Sequence, residues 1–515
     1  METDLIFFQP YDRTWPDNPK IVKNFIWGWI PRSMFEVGYQ IPPEYSLTLV
    51  DLSLEIREGK TLESAVLENL RVTKPKAVLI SFPYFVVGGQ IERIIKVCRQ
   101  YSSGIPIILG GGAISSLKKA PLVWWPELTC VYNGFGKNIG RLIKACLSKK
   151  AVSIPGVSWR DGVCVDNSAV DERSLIDGYS PEDFYACNGR FDFPKYLDRW
   201  QEITELPVGI LEMTRGCKFS CSFCAINSVK LGCYSRAPKT VLKEAYFLAE
   251  RGIKHFYIID PSFGLLKKKT RELLQEMSSF HSDFPDAEIE IVTRSHLVTQ
   301  EFATKLKKAG ITTVALGMET MDKDVLGEIQ KGIDPEETRK AVRIVAEAGG
   351  FRIKLLHIIF PKRISEETLK FFAEVDQTVP YFIQSSFLRD PLDEKSEPDF
   401  VERDMWVWHP EKDDLQQIKE WMLSSFAFDS SYEGRGDRWL QSTVKKYLAE
   451  KRPLEELFSL VKSDDESEFF LRLLRRKSRT GSKVRNYYFV FALIHPNYTY
   501  HPVYSRCFRY SSEVE

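Results

Sequence analysis

At 515 residues the chain is too long for one small core, and length alone predicts roughly two to four domains. Hydrophobic residues make up 43% and charged residues 27% of it, the mix of an ordinary globular protein, which excludes a fibre, a repeat array or a disordered chain. A formal net charge of +1 removes any global attraction to nucleic acid or to an anionic membrane.

The N-terminal stretch METDLIFFQP has no basic leader, and no apolar run reaches the roughly 18 residues of a membrane span, so the expected location is the cytoplasm. Ten cysteines, scattered apart from one group, fit a reducing compartment better than a disulfide framework. Residues 1–150 then alternate strand-like DLIFF, LTLV, AVLISF, PIILG and TCVY with helix-like TLESAVLENLR, GQIERIIKVCRQY and KNIGRLIKACL. That order predicts a doubly wound parallel sheet with helices on both faces. Such sheets bind ligands beyond the carboxyl ends of their strands. Here those ends carry Ser81, Gly110, Gly111, Gly112, Asn133 and Gly134, mostly small residues that let a ligand approach the backbone.

Residues 151–205 lose the alternation and gain Pro, Gly, Asp and aromatics, as a linker packed across a domain seam would. From residue 206 to 390 the strands PVGILEM, HFYIID, EIEIVT, TVALGM, IKLLHIIF and YFIQSSF alternate with helices that close on glycine, predicting a partial (β/α)6 barrel. Residues 391–515 read as an α-rich C-terminal domain, with DDLQQIKEWMLSSF, WLQSTVKKYLAEK and DDESEFFLRLLRRKS as its helices. Trp406, Trp408, Tyr498, Tyr500 and Tyr504 either line a substrate pocket there or fill a core, and Cys507 reads as a buried thiol rather than a hydrogen-transfer group.

Directly after the first barrel strand, the stretch EMTRGCKFSCSFCAIN brings together Cys217, Cys221 and Cys224. A closed zinc site needs four ligands, and the next thiol, Cys233, lies nine residues further on. The first histidine of the whole chain is His255. Three thiolates suit a [4Fe-4S] cluster with one iron left open to a substrate or cofactor.

Here the chain resembles the radical S-adenosylmethionine (SAM) superfamily, whose signature is a CxxxCxxC loop after the first strand of such a barrel. The aromatic Phe223 before the last cysteine and the six repeats agree with it. The resemblance implies a cluster on Cys217, Cys221 and Cys224, and an open iron chelated by SAM. An external donor such as flavodoxin or ferredoxin would supply the electron that cleaves SAM to methionine and a 5′-deoxyadenosyl radical. It also implies roles for other residues. Asp260, Pro261 and Ser262 stand where the family holds the SAM amino group with a Gly-Gly-Glu turn, Arg294 offers a partner for the SAM carboxylate, and Glu319 contacts its ribose or amino group. His357 either faces the barrel interior or is a core histidine.

The N-terminal half extends the resemblance to the cobalamin-dependent class, through AVLISF, PIILGGG and YNGFG. The class's acidic Gly-Glu-Gly-Glu element is replaced by Gly134, Phe135, Gly136 and Lys137, and no histidine precedes His255 to act as a lower ligand. The implied activity is methylation of an unactivated carbon of a small molecule. The alternatives are a non-methylating rearrangement, ring formation or oxidation, and modification of RNA or a peptide. Nucleic acid is the weaker partner: the basic run RLLRRKSRTGSKVR beside Tyr487 and Tyr488 is offset by the acidic KSDDESEFF just upstream.

Overall fold

The computed structural model describes residues 2–10, 28–83, 87–134, 136–160, 177–203, 207–224 and 233–359, with shorter stretches beyond. The helical segments expected between residues 413 and 478 lie outside the described residues.

Five strands of the first sheet fall where alternation and β-branched residues predict them: β1 (Leu5–Gln9), β3 (Leu47–Asp51), β4 (Ala77–Ser81), β5 (Ile107–Gly110) and β6 (Cys130–Tyr132). β1 and β4 are buried along their whole length, as strands covered on both faces must be. The order is β3-β1-β4-β5-β6-β7, with every pair parallel except the last. β7 (Val157–Trp159) comes from the segment read as linker and closes the edge antiparallel to β6. Between β1 and β4 the winding direction reverses, which opens a crevice at their carboxyl ends.

The second sheet runs β15-β14-β13-β12-β11-β8-β2. Its six barrel strands, β8 (Pro207–Leu211), β11 (His255–Ile258), β12 (Glu288–Thr293), β13 (Ile311–Glu319), β14 (Arg352–Ile359) and β15 (Tyr381–Phe387), are parallel and in sequence order, as the β/α alternation predicts. The helix Pro335–Ala348 shows how the sequence sets its ends. The Asp334 side chain caps the Glu336 N–H, the Glu337 carboxylate accepts from the Asp334 N–H at 2.8 Å, and Gly349 leaves the helix at φ +65°.

An edge strand, β2 (Gly28–Trp29), pairs with β8, so residues from the N-terminal part of the chain finish the barrel. The helix Arg32–Gln40 follows it, and one apolar core then runs without a break from Leu5 and Phe7 of the first sheet to Leu316 and Leu355 of the second. Its middle is aromatic. Phe35 meets Tyr185, Phe193 and Tyr196 edge to face or tilted at 5.1–5.6 Å, and Tyr185 stacks on Phe247 of the barrel helix Pro238–Ala249 at 5.3 Å. The segment after β7 thus packs across the seam through the helices Pro181–Tyr185 and Phe193–Ile203.

Inside the barrel, side chains of β12 and β14 meet across β13. Arg352 pairs with Glu288 at 2.7 Å and Lys354 with Glu290 at 2.6 Å. Thr313 and Ala315 of β13, beside Arg352 and Lys354 in the register, are small enough to let them pass. Alternation therefore puts His357 on the other face of β14 with Ile353 and Leu355, the face packed on helices. Burial holds it neutral, with its pKa lowered to about 3. It is a core histidine, which decides the alternative left open by the sequence.

Candidate functional site

The cysteine loop leaves β8, and β9 (Thr214–Arg215) pairs antiparallel with β10 (Tyr234–Ser235) to pin its two ends. Between them Gly216 at φ +84° turns the chain into Cys217. The Cys224 N–H donates to the Cys221 carbonyl at 3.1 Å, and the Ser222 N–H to the Ile329 carbonyl at 3.0 Å. Phe223 packs on Val325, Leu326, Ile329, Ile333 and Ile358, so its ring anchors the loop to the barrel top.

Cys221 is buried, and Arg294 Nη1 lies 3.2 Å from its sulfur. The Arg294 guanidinium lies 3.9 Å over the Phe219 ring and its Nη2 donates to the Lys331 carbonyl, while Nε has no protein partner. Burial and the neighbouring Cys221 and Cys217 push the Cys224 thiol up, with the Ile226 N–H and Lys331 opposing. Cluster assembly must displace that proton. Among the described residues no three Cys, His, Asp or Glu side chains converge on one point as ligands of a single ion would. A [4Fe-4S] cluster has no such need, because each thiolate takes its own iron. The donor set, with a guanidinium beside one sulfur, fits the cluster.

At the end of β11, Asp260 Oδ1 accepts from the N–H groups of Met213 (2.8 Å) and Thr214 (2.9 Å), which ties this turn to the root of the loop. Asp260 Oδ2 and Ser262 Oγ are buried without a partner. Two orphaned oxygens two residues apart call for a donor, and the SAM ammonium is one. Burial raises the Asp260 pKa to about 7 against the N–H groups of Thr214 and Met213. A raised carboxyl pKa stabilises the fold at low pH and loses that contribution as pH climbs through about 7. Asp260→Asn, which keeps the acceptor oxygen, therefore flattens the decline in melting temperature between about pH 4 and pH 7, from the ordinary carboxyl range up to the raised value. Scanning fluorimetry of the metal-free protein reads this, and SAM binding to the reconstituted variant weakens by about tenfold through loss of one charge-assisted bond.

Glu319 stands at the end of β13 with φ +60°, a strained backbone for a side chain of its size. Its Oε1 accepts from Lys331 Nζ at 2.5 Å, both side chains being less than a tenth exposed. Lys331 was not singled out by sequence reading. Its one signal is a lone cation in the short turn after the helix Lys323–Glu328, and its partner is twelve residues away.

The second group of expected residues lies at the carboxyl edge of the first sheet. Ser81, Gly110, Gly111, Gly112 and Gly134 line one cavity of about 240 Å³, together with Phe7, Leu79, Ile108, Tyr132 and the Ser33–Val37 face of the helix Arg32–Gln40. Asn133 stands behind it, accepting from the cavity residue Ser115 at 3.2 Å. Gly111 has φ +113°, and a Cβ there would sit 2.7 Å from the Phe82 carbonyl. The cavity is mostly apolar and suits a flat bicyclic base rather than a whole corrin. The tail of cobalamin fits it. Arg215 also lines the cavity, two residues before Cys217.

Residues 211–375 match the Radical SAM superfamily model. The matched stretch holds the three-cysteine loop and most of the barrel described above. The fold is similar to that of solved cobalamin-dependent radical SAM enzymes. The methyltransferase TsrM from Kitasatospora setae, solved with tryptophan and a SAM analogue, superposes with a TM-score of 0.57 at 18% identity, covering 74% of this chain and 73% of that one. OxsB with aqua-cobalamin and SAM gives 0.59 at 15% identity, covering 95% and 79%. In sequence, the chain is 25% identical over 360 residues to an uncharacterised methyltransferase of Pyrococcus horikoshii, covering 66% of this chain and 75% of the relative. It is 26% identical over 296 residues to the anaerobic magnesium-protoporphyrin IX monomethyl ester cyclase of Cereibacter sphaeroides, spanning 55% of this chain but only 46% of the cyclase. No helix among the described residues is long and apolar enough to cross a membrane.

Proposed function

We propose that the protein is a cobalamin-dependent radical SAM C-methyltransferase acting on an unactivated carbon of a small molecule in the cytoplasm, with an external one-electron donor such as flavodoxin or ferredoxin. The observation that carries this is the apolar cavity at the carboxyl edge of the first sheet, walled by Ser81, the Gly110–Gly112 run and Gly134, with the root of the cluster loop as its far wall. The methyltransferase names among the similar proteins support it.

When bound, the cluster and SAM supply a 5′-deoxyadenosyl radical and cobalamin supplies the methyl group. The chain's part is to hold and shield. Cys217, Cys221 and Cys224 seat the cluster, and Arg294 places a fixed positive charge at the Cys221 sulfur. Asp260, Ser262 and the Glu319–Lys331 pair receive the charged end of SAM, and the apolar barrel top around Ile329 and Ile358 keeps out water.

Reconstitution under nitrogen with iron, sulfide and hydroxocobalamin, followed by desalting, leaves a corrin spectrum on the protein. Turnover then releases both S-adenosylhomocysteine and 5′-deoxyadenosine. The likeness to the ester cyclase supports a second reading, ring formation or oxidation without methylation, and 5′-deoxyadenosine alone would select it.

A further inference from the structure

The joint between the cavity and the cluster loop is built from charges. Three arginines (Arg32, Arg215, Arg236) and three glutamates (Glu36, Glu212, Glu244) form one connected, neutral network. Arg215 grips Glu36 with both Nη atoms, at 3.0 and 2.9 Å, and Glu212 through Nε and Nη2, at 2.8 and 2.6 Å. Arg32 reaches Glu36 at 3.1 Å, Glu212 at 3.4 Å and Glu244 at 3.1 Å, and Arg236 meets Glu244 at 2.8 Å. Tyr179 and Tyr185 each donate to Glu244 at 2.9 Å.

Burying six charges contributes little net stability, because desolvation offsets attraction, so position is what such a network can specify. Its position here is particular. Glu36 sits on the helix that walls the cavity, and Arg215 is separated from Cys217 only by Gly216. Burial would raise Glu36, yet Arg215 and Arg32 outweigh it and hold the carboxylate at about 2, so the fork stays charged at any working pH. A shift of the helix Arg32–Gln40 therefore pulls on the loop that carries the first cluster ligand.

We propose that the Glu36–Arg215 fork is a positioning device that couples filling of the cavity to seating of the iron–sulfur cluster. This rests on the cobalamin reading of the cavity. Neither residue is catalytic; both act through the helix and the loop.

The test uses Arg215→Lys, which keeps the charge balance and loses the planar fork, beside Glu36→Gln as a second variant. Hydroxocobalamin affinity is measured by absorbance titration on full-length protein with and without reconstituted cluster. In the wild type the two affinities differ by at least about 5-fold, and in Arg215→Lys the ratio falls to about one. A variant ratio equal to the wild-type ratio, or a wild-type ratio of one, overturns the proposal. Wild type that binds no corrin instead sinks the cobalamin reading. The fork is then judged on the electron paramagnetic resonance of the reduced cluster with SAM: altered g-values in Arg215→Lys sustain a positioning role, and an unchanged spectrum ends it.

Discussion

Cys221→Ala abolishes 5′-deoxyadenosine formation, by at least about 10³-fold, and reconstituted iron falls well below the four per chain of a cubane. The reason is local. Cys221 is the buried member of the three thiols, it faces the Arg294 guanidinium, and the loop around it is pinned by Phe223 and the Ser222 N–H. Removing its sulfur leaves two partly exposed thiols and takes away the sulfur that Arg294 Nη1 contacts. Cys233→Ala is the control. That thiol lies beside β10 with its sulfur 3.6 Å from the Gly216 carbonyl, and iron content there stays at the wild-type level. Retained turnover in Cys221→Ala would remove the cluster reading altogether.

Gly110→Phe has the next largest effect. A Cβ at Gly110 meets only the Tyr132 carbonyl, at an ordinary 3.5 Å, and the backbone there needs no positive φ. Gly110→Ala therefore folds and retains corrin within about threefold of wild type, since one methyl group is worth only about 1 kcal/mol of binding. A phenyl ring, in contrast, occupies much of the 240 Å³ cavity, and its apolar lining accepts it. Corrin retention after desalting then drops by about 10²-fold or more, with the cluster signal intact. Gly111 would be a poorer choice for the same experiment, because φ +113° and the Phe82 backbone at 2.7 Å make any side chain there a folding defect.

What the sequence reveals depends on how far apart the cooperating residues lie. Eleven strands and the barrel order follow from local alternation and from glycines that end helices, so the architecture is legible. The cysteine loop is legible because its spacing is itself the signal. β2 escapes notice, being two residues long and stabilised only by pairing with β8, some 180 positions away. Lys331 escapes because a single cation in a turn carries no pattern until Glu319 is seen beside it. The six-charge network is invisible for the same reason: Arg32 and Glu244 are 212 residues apart. The cavity is an intermediate case, since its small residues show in sequence while Phe7 and Val37, which shape the other wall, look like ordinary core.

The unbroken aromatic seam between the two sheets bears on how the molecule comes apart. Phe35, Tyr185, Phe193 and Phe247 are each buried by partners from other stretches of chain, so neither sheet keeps a complete interior once the other is melted. The two sheets are thus expected to denature in one cooperative step, and excising either by proteolysis or cloning would yield a sticky fragment rather than an autonomous module.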